Sequence, residues 1–489
     1  MYRFFSLHIS KWILLLLAGD VGVFCFALLL ALLFHPTLSS APLTFLAQHK
    51  LAFTLIGLTY LVMLYIGELY DHYKDFRLGI YIVWIIVWTF AGTIMVIVIF
   101  FFPLAPFVGR TLLFTQAIFF AILLASWRYA FSAIALPTRL PRKVLIVGAG
   151  KAGCEILEAI QKRPGSGLAV IGFVDDDPQK IGTVIKGVPV MGDSNQIYDL
   201  INQYKVSLVV VAITYEKSPI LISALNRISS NGCQLMDLPN LYEFLTGKIP
   251  VDHISDIWLY FHGLNNNKLF YPHIKRLIDI VLVLLGFALS WPLFALISLA
   301  IKLDEPRAPI FFRQKRLGQD GKPFQIIKFR TMTPDNNCSK PRWTSTNDPR
   351  ITRIGRILRK LHLDELPQLV NILKGEMSLI GPRAEWDFFA LKSQERIPDW
   401  RPGRRAGDPP GFRVMCGYRE QVPHYSYRLL VKPGITGWAQ VMNPFVGSSQ
   451  AELKEKLQYD LYYVKNMGFL LDLAILLKTI RIVVFGRGK

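Results

Sequence analysis

Two adjacent carboxylates, Asp364 and Glu365, are the residues whose types and spacing most directly suggest chemistry. They follow a dense run of cationic residues, which comprises Arg350, Arg353, Arg356, Arg359 and Lys360. Helical spacing would place Arg353, Arg356 and Lys360 on one face. Adjacent carboxylates suit a divalent ion plus a nucleophile or base, and convergent arginines suit phosphate oxygens. The pattern predicts magnesium-assisted phosphoryl transfer, although an exposed helix with surface ion pairs would also explain the two carboxylates alone.

Five longer motifs surround the carboxylate pair and follow one another along the C-terminal part of the chain. They are KFRTM (328–332), NDPRITRIGRILRK (347–360), LDELPQLVNILKGEMSLIGPR (363–383), VKPGITGWAQV (431–441) and YDLYYVKN (459–466). Together they closely resemble the motifs of the bacterial polyprenyl-phosphate hexose-1-phosphate transferases, the large form of the bacterial sugar transferase family. The resemblance is strongest over residues 275–481 and extends weakly to the N-terminus.

This resemblance implies transfer of a hexose 1-phosphate from a UDP-sugar to undecaprenyl phosphate, which gives undecaprenyl-diphosphate-sugar and UMP. Such a reaction initiates exopolysaccharide, capsule or O-antigen synthesis. By motif, Asp364 would be the nucleophile of an aspartyl phosphosugar intermediate, and Glu365 would help hold Mg²⁺ or deprotonate the lipid phosphate. The residues that would neutralise phosphate charge are Lys328, Arg330, Arg353, Arg359 and Arg383.

Two departures from the family pattern weaken any inference about the sugar. The family usually reads GPRP, whereas Ala384 follows Arg383 here. The segment 399–421, which contains RPGRRAGDPPGF, is longer and more basic than is usual in the family. The sequence therefore leaves the sugar open, and it also leaves the oligomeric state open, with a homodimer as one option.

The composition is that of a membrane enzyme. Hydrophobic residues make up 52% of the 489 residues, and the formal net charge is +20. So basic and apolar a chain indicates contact with anionic lipid headgroups and phosphorylated substrates. No nucleic-acid-binding signature is present, so nucleic acid is not an expected partner. The five cysteines form no CxxC pair, which argues against a disulfide framework or a zinc site.

Four apolar segments in the first 135 residues predict a transmembrane bundle. They run from Trp12 to Phe34, Leu51 to Ile66, Ile80 to Phe102 and Thr111 to Phe131. Cations lie between the second and third segments and after the fourth, and Arg128 is counted among those after the fourth. By the positive-inside rule, both loops are expected in the cytoplasm. Asp20 lies inside the first segment, where a hydrogen bond between helices is the expected role.

A soluble α/β module is predicted after the bundle. KVLIVGAGKAG reads as a buried strand that turns into a helix, with Gly148, Gly150 and Gly153 in a G-x-G-x-x-G pattern. These glycines could bring backbone amides to a pyrophosphate, as in Rossmann-like nucleotide sites. The alternative is an accessory fold in which the glycines only permit a tight turn and close helix packing, and the family resemblance favours that alternative.

The module also raises a rival function, a membrane-anchored NAD-dependent nucleotide-sugar epimerase or dehydratase. Such an enzyme normally needs a Tyr-x-x-x-Lys pair, and this spacing occurs at Tyr70/Lys74 and at Tyr271/Lys275. The first pair precedes the module, and the second opens an apolar segment. Both pairs therefore read as accidental, and the rival leaves every motif after Lys328 unexplained.

A fifth apolar segment, Ile278 to Ile301, has cations on both flanks and Ser290-Trp291-Pro292 at its middle. Proline bends a helix sharply, and Ser290 could bond a carbonyl that Pro292 frees. Basic flanks favour a cytoplasmic location for both ends. We expect a re-entrant hairpin, which the family resemblance also implies, and a kinked fifth span is the alternative.

The predicted fold class is therefore a membrane protein of mixed α and β structure. We expect four transmembrane helices in 1–135, a Rossmann-like, CoA-binding-like cytoplasmic domain in 136–265, a re-entrant membrane helix in 266–304, and a catalytic α/β domain in 305–489. The last domain should end in an amphipathic helix at the bilayer surface, over 468–485, or in a helix that packs in the core. The predicted location is the bacterial inner membrane, with the catalytic domain in the cytoplasm.

Overall fold

The computed structural model describes most of the chain, and the predicted insertion at 399–421 lies outside the described residues. Those residues are 2–4, 7–9, 11–35, 42–70, 79–101, 110–135, 141–163, 166–213, 218–229, 233–259, 270–333, 348–385, 423–443 and 450–485. The chain forms two compact units, Met1–Leu241 and Tyr242–Lys489.

The first unit begins with a short hairpin, β1 and β2, and a set of apolar helices, α1 to α5. The bounds are β1 Tyr2–Phe4, β2 Leu7–Ile9, α1 Lys11–Leu33, α2 Pro42–Gln48, α3 Lys50–Ile66, α4 Gly79–Phe101 and α5 Arg110–Ala135. Helices α1, α4 and α5 are long and apolar enough to cross a membrane, and α2 and α3 meet at an 82° bend as one broken candidate span. All four predicted segments are therefore confirmed as helices.

An ion pair lies inside this bundle between Asp20 of α1 and Arg128 of α5. The Arg128 Nη2 atom is 2.5 Å from Asp20 Oδ2, and both side chains are buried. Arg128 also donates to the carbonyl oxygen of Leu69. The interhelical role expected for Asp20 is confirmed, but the assignment of Arg128 to a loop was wrong. Helix α5 continues past it, and a partner charge offsets the cost of burying the guanidinium in an apolar bundle.

The Rossmann-like part of the first unit is built on one six-stranded sheet, in the order β5-β6-β4-β3-β7-β8. Its strands are β3 Arg142–Val147, β4 Leu168–Val174, β5 Val184–Ile185, β6 Val188–Gly192, β7 Leu208–Val211 and β8 Gln234–Asp237. All neighbours pair in parallel except β5 and β6. Its helices are α6 Lys151–Gln161, α7 Ile197–Tyr204, α8 Pro219–Ser229 and α9 Leu238–Thr246, of which α9 crosses the boundary between the units.

Two of the three loop glycines have a structural reason to be glycine. Gly148 has φ +106°, in the region that L side chains rarely adopt. A Cβ on Gly153 would lie 2.0 Å from the Gly148 carbonyl oxygen, because α6 packs closely on the turn. A Cβ on Gly150 would meet nothing within 4 Å. The amide of Ala149 in this turn donates to Asp175 Oδ2 at 2.7 Å, so a carboxylate of the chain already binds one loop amide. Nucleotide binding at Gly148, Gly150 and Gly153 stays a prediction.

The second unit contains the long helix α11, two short strand pairs and the helices around them. After α9 its elements are α10 Asp256–Leu259, α11 Tyr271–Asp304, β9 Phe311–Leu317, β10 Pro323–Phe329, α12 Arg353–Lys360, α13 Gln368–Lys374, β11 Ser378–Ile380, β12 Gly434–Thr436, α14 Trp438–Met442, α15 Gln450–Asn466 and α16 Phe469–Phe485. Strands β9 and β10 pair antiparallel, and β11 and β12 pair in parallel.

The division between the units falls earlier than the predicted domain boundary at 265/266. Ile249, Val251 and Leu259 pack in one buried cluster with Tyr425 and Leu457 of the second unit. Their apolar side chains complete the core of that unit, so the segment after 242 belongs with the C-terminal elements.

Helix α11 runs without interruption from Tyr271 to Asp304, with Pro292 inside it. A change of direction was expected at Ser290-Trp291-Pro292, but no loop interrupts the helix there. The Ser290 Oγ atom is buried and has no hydrogen-bond partner among the described residues, so the expected bond to a freed carbonyl is absent there. The re-entrant arrangement of this helix in the bilayer stays a prediction.

Helix α16 buries one face that carries both apolar and polar residues, and it exposes apolar residues on the other face. Leu471 and Ile475 are buried against Ile380 and Tyr463, and Lys478 lies 5.3 Å from the ring centroid of Trp438. The exposed side chains of this helix include Phe469, Leu473, Ile480 and Val483. The core alternative is confirmed for one face, and placement of the other face on a bilayer stays a prediction.

Candidate functional site

The two carboxylates lie on a short 3₁₀ turn, Leu363–Glu365, between α12 and α13. Helix α12 begins at a Thr352 N-cap, whose side chain accepts from the Gly355 amide, and it ends at Lys360. His362 then adopts φ +54°, a left-handed conformation that is strained for a residue other than glycine. This reversal lets the chain leave α12 and present Asp364 and Glu365 beside the end of β10.

Glu365 is held by two cations that come from different parts of the chain. Lys328 Nζ, near the end of β10, and Arg383 Nη2, after β11, each lie 2.7 Å from Glu365 Oε1. The Glu365 side chain is 12% exposed and the Arg383 side chain 43% exposed, so the cluster opens to solvent on the arginine side. The structure thus brings four of the predicted site residues together: Asp364, Glu365, Lys328 and Arg383.

The two neighbouring carboxylates have opposite electrostatic environments. Burial raises the pKa of Asp364, an effect that Lys328, Arg359 and Arg383 partly offset, while the charge of Glu365 raises it further. Burial also acts to raise the pKa of Glu365, but the charges and hydrogen bonds of Arg383 and Lys328 outweigh it and hold that pKa far below its usual range. A carboxylate with so low a pKa is a weak proton acceptor, and this argues against Glu365 as a general base.

The other predicted phosphate-binding residues occupy different places. Arg359 donates to Thr331 Oγ1 at 3.0 Å, and its charge acts on Asp364, so it borders the site. Arg330 is half-buried, and its Nε atom has no hydrogen-bond partner in the described part of the chain. Arg353 is exposed on α12, as are Arg356 and Lys360. The described contacts therefore do not bring Arg353 to the carboxylates.

Helix α12 approaches the site at a glycine. A Cβ on Gly355 would lie 2.2 Å from the Thr331 carbonyl oxygen, so only glycine lets α12 pack on the backbone that follows β10. This contact keeps Arg359, one turn further along α12, beside Thr331 and Met332. The G in TRIGRILRK is the sequence signal for that close approach.

A small cleft adjoins the cluster and contains residues that the sequence analysis did not single out. Its lining comprises Arg316, Ile326, Lys328, Gln368, Met377, Arg383, Ala384 and Gly434. Arg316 donates to the Ala384 carbonyl oxygen at 3.2 Å, which places this cation beside Arg383. Arg316 and Gln368 lie in the segments RQKRLG and LPQL. Nothing in the local pattern distinguishes these two residues from other polar residues on strands and helices.

A buried charge network supports the backbone of Arg383. Arg428 is 2% exposed and donates through Nη2 to the Arg383 carbonyl oxygen at 2.9 Å. Its Nε donates to Asp460 Oδ2 at 2.9 Å, and its Nη1 lies 3.4 Å from Glu385 Oε1. Asp460 belongs to the motif YDLYYVKN, and Arg383 ends the motif LDELPQLVNILKGEMSLIGPR. The network therefore joins two of the family motifs.

Magnesium fits this site only as an ion shared with a substrate. No group of three or more histidine, cysteine or carboxylate side chains that could bind a metal occurs among the described residues. Both cations bond Oε1 of Glu365, and this leaves Oε2 and the Asp364 carboxylate as ligands. Mg²⁺ is often held by one or two carboxylates together with substrate phosphate oxygens, so this donor set suffices.

The pair that the rival dehydrogenase-like function would need has another role. Tyr271 Oη and Lys275 Nζ both lie 2.6 Å from Asp472 Oδ2, which joins α11 to α16. Tyr463 Oη donates to the other oxygen of Asp472 at 2.9 Å. Tyr271 and Lys275 therefore act as a structural contact, and Lys74 of the other pair lies outside the described residues. The rival function is not favoured.

Comparison with known proteins is consistent with this geometry. Residues 270–486 match the model of the bacterial sugar transferase family, and residues 67–239 match that of a CoA-binding domain. The UDP-N-acetylgalactosamine-undecaprenyl-phosphate N-acetylgalactosaminephosphotransferase of Aeromonas hydrophila is 34% identical over 52% of this chain and 55% of its own length. The UDP-glucose:undecaprenyl-phosphate glucose-1-phosphate transferase of Xanthomonas campestris is 28% identical over 69% of this chain and 66% of its own length. The enzyme of the same name from Escherichia coli is 30% identical over 69% of this chain and 67% of its own length. The match thus spans between about half and two thirds of these relatives.

Proposed function

We propose that this chain, which belongs to the bacterial sugar transferase family, transfers a hexose 1-phosphate from a UDP-sugar to undecaprenyl phosphate and releases UMP. The named relatives act on different sugars, N-acetylgalactosamine in one and glucose in others, so the sugar itself stays open. The observation that carries the proposal is the contrast between the lowered pKa of Glu365, which two cations contact, and the raised pKa of its neighbour Asp364.

Asp364 is the nucleophile in the proposed reaction. Of the two carboxylates, Glu365 is bonded to Lys328 and Arg383, whereas burial raises the pKa of Asp364 and with it the basicity of its oxygens. In the first step an Asp364 oxygen attacks the phosphorus attached to the sugar, and the bond to the UMP oxygen breaks. The product is an aspartyl phosphosugar, and the cations neutralise charge that develops on the phosphate oxygens.

In the second step the lipid takes the sugar phosphate. An oxygen of undecaprenyl phosphate attacks the same phosphorus, the bond to Asp364 breaks, and the free carboxylate is regenerated. Arg383 is the exposed member of the cation pair and is suited to bind an incoming phosphate. Asp364 and Glu365 are the residues that would hold Mg²⁺, which would supply further neutralisation of the phosphate charge.

The contacts of α11 support a site at the cytoplasmic membrane surface. Near one end, Arg276 donates to the Ile372 carbonyl oxygen, at 2.5 Å. At the other end, Asp304 Oδ2 accepts from the Ile354 amide, at 3.3 Å. Between them, Val283 packs against Leu369, and Phe294 lies 5.2 Å from the Phe329 ring. One catalytic domain contacts the helix along its length, which is consistent with both ends lying on one side of the inner membrane.

A test of the whole proposal uses membranes that contain the full chain. They are incubated with undecaprenyl phosphate and separate UDP-sugars, and release of UMP is measured with and without Mg²⁺. We expect UMP in proportion to a new diphosphate-linked lipid, with one sugar preferred. Absence of UMP with every UDP-sugar, or turnover that requires bound NAD, would contradict the proposal.

A further inference from the structure

The amide side chain of Gln368 is buried at the cleft beside the carboxylates. Gln368, the first residue of α13, is 2% exposed. Its Nε2 atom has no hydrogen-bond partner among the described residues. A buried donor without an acceptor is costly, so such a group needs a specific reason. Gln368 lines the cleft, so an acceptor that enters the cleft can reach its Nε2–H.

Another buried amide on the same helix shows that the environment of Gln368 is unusual. Asn371 is fully buried, and its Nδ2 donates to Gln325 O and to Glu376 Oε2, both at 2.7 Å. Its Oδ1 accepts from the Ile327 amide at 3.1 Å. Asn371 therefore joins α13 to β10 with all these bonds made inside the protein. Three residues earlier, the Gln368 Nε2 donor has no such partner among the described residues.

The cleft favours an anion. Three cationic side chains line it, Arg316, Lys328 and Arg383, and no carboxylate lines it among the described residues. Glu365 is not part of the lining, but it forms ion pairs with two of these cations, Lys328 and Arg383. Arg316 is held in place by its bonds to Ala384 O and Gln314 Oε1, at 3.2 and 2.8 Å. Burial and the neighbouring charge of Arg383 lower the pKa of Arg316 to about 10, although the Glu385 and Glu365 carboxylates act to raise it, and a bound anion would stabilise the charged guanidinium further.

We propose that this cleft is a phosphate subsite, in which the Gln368 Nε2–H donates to a phosphate oxygen and Arg316 supplies a third positive charge beside Lys328 and Arg383. Two sources share this chemistry: the phosphate that leaves with the nucleotide, and the phosphate of the lipid acceptor. Gln368 is thus a ligand-binding residue, and the inference deepens the proposed transfer reaction and rests on it.

The neighbouring apolar side chains are compatible with either source. Ile326, Met377 and Ala384 line the cleft and belong to a buried cluster that also contains Val283 of α11, with Phe287 packed against it. Polar recognition is therefore concentrated in Gln368 and the three cations. A substitution at Gln368 removes a donor without disturbing the Glu365 ion pairs.

The test compares Gln368→Met with the parent and with Gln440→Met. Gln440 also has a buried amide oxygen without a described partner, but it does not line the cleft. Inorganic pyrophosphate and UMP serve as probes, and affinity is measured from the ligand-induced rise in melting temperature of the full chain. Loss of one hydrogen bond to a charged ligand should weaken binding about ten- to a hundredfold in Gln368→Met and leave Gln440→Met unchanged. Without ligand, Gln368→Met should melt near the parent, whereas Gln440→Met should melt slightly lower because it loses the bond from its Nε2 to the Ile435 carbonyl oxygen.

Kinetics then identify the source of the phosphate. In Gln368→Met, a higher KM for the UDP-sugar and slower UMP release without acceptor would assign the donor phosphate. A higher KM for undecaprenyl phosphate alone would assign the acceptor phosphate. Unchanged probe affinity and unchanged kinetic constants would overturn the subsite. If the parent released no UMP with any UDP-sugar while pyrophosphate binding still depended on Gln368, the transfer proposal would fail and the subsite would stand.

Discussion

Lys328 Nζ and Glu365 Oε1 lie 2.7 Å apart, and this ion pair determines what each of the adjacent carboxylates can do. It joins β10 to the turn after α12, and together with Arg383 it keeps Glu365 ionised. A Glu365 carboxylate with a lowered pKa suits charge balance or metal binding. In the proposed mechanism Asp364 is therefore the carboxylate that attacks phosphorus.

The first prediction concerns covalent chemistry. Asp364→Asn should abolish the phosphosugar adduct and lower turnover by at least a thousandfold, because loss of the nucleophile adds several kcal/mol to the barrier. Trapping of radiolabelled sugar phosphate on the purified protein measures the adduct, and a melting curve checks the fold. Glu365→Gln should be strongly impaired but should keep Asp364 available for labelling. Turnover of Asp364→Asn within about tenfold of the parent would refute the assignment.

The second prediction concerns pH. Asp364 must be ionised to attack, so activity should fall as pH drops through its raised pKa. Lys328 lowers that pKa, and Lys328→Met should therefore move the acid limb of the rate profile to higher pH. The pH dependence of UMP release measures the shift, with Lys454→Met, which removes an exposed cation, as control. A limb that stays in place in Lys328→Met would exclude Asp364 as the titrating group.

The third prediction concerns the network below Arg383. Arg428→Met should destabilise the protein by about 3–5 kcal/mol, because Asp460 and Glu385 would lose a buried cation. Denaturant unfolding measures the loss. Lys454→Met breaks the exposed pair with Asp252 and should change stability by no more than about 1 kcal/mol. Equal effects of the two substitutions would contradict the structural role of Arg428.

The fourth prediction concerns membrane topology. Single cysteines introduced at His273 and Glu305, in a background without other reactive cysteines, should both be labelled from the cytoplasmic side. The reason is that both ends of α11 contact one catalytic domain. Replacing Ser290 and Pro292 with leucine should favour a full crossing and reduce transfer. Labelling of Glu305→Cys from the periplasm in the otherwise unmutated protein would show that the helix spans the bilayer.

The fifth prediction separates packing from nucleotide binding in the glycine turn. Gly153→Ala should destabilise the protein by more than about 2 kcal/mol, because its Cβ would overlap the Gly148 carbonyl oxygen. Gly150→Ala meets open space and should leave stability within about 1 kcal/mol and transfer intact. Calorimetric titration with NAD and the transfer assay check both roles. Stoichiometric NAD binding that Gly150→Ala abolishes together with turnover would restore the rival function.

The sequence alone determined the features that depend on local pattern. Long apolar runs predicted the membrane helices, because length and composition suffice for a backbone that must satisfy its own hydrogen bonds in lipid. A continuous apolar run that leads into a glycine-rich turn likewise predicted the β3–α6 unit. The adjacency of Asp364 and Glu365, with the surrounding motifs, predicted where the chemistry lies.

Only the tertiary structure decided how partners distant in sequence share their charges. Glu365 meets Lys328 and Arg383 from two other elements, and Asp20 meets Arg128 across the bundle. No local pattern indicates that Asn371 has its bonds inside the protein while the Gln368 donor has no partner in the described part of the chain. Hydrogen bonding and burial depend on which side chains fold together, and these set the pKa difference between two neighbouring carboxylates.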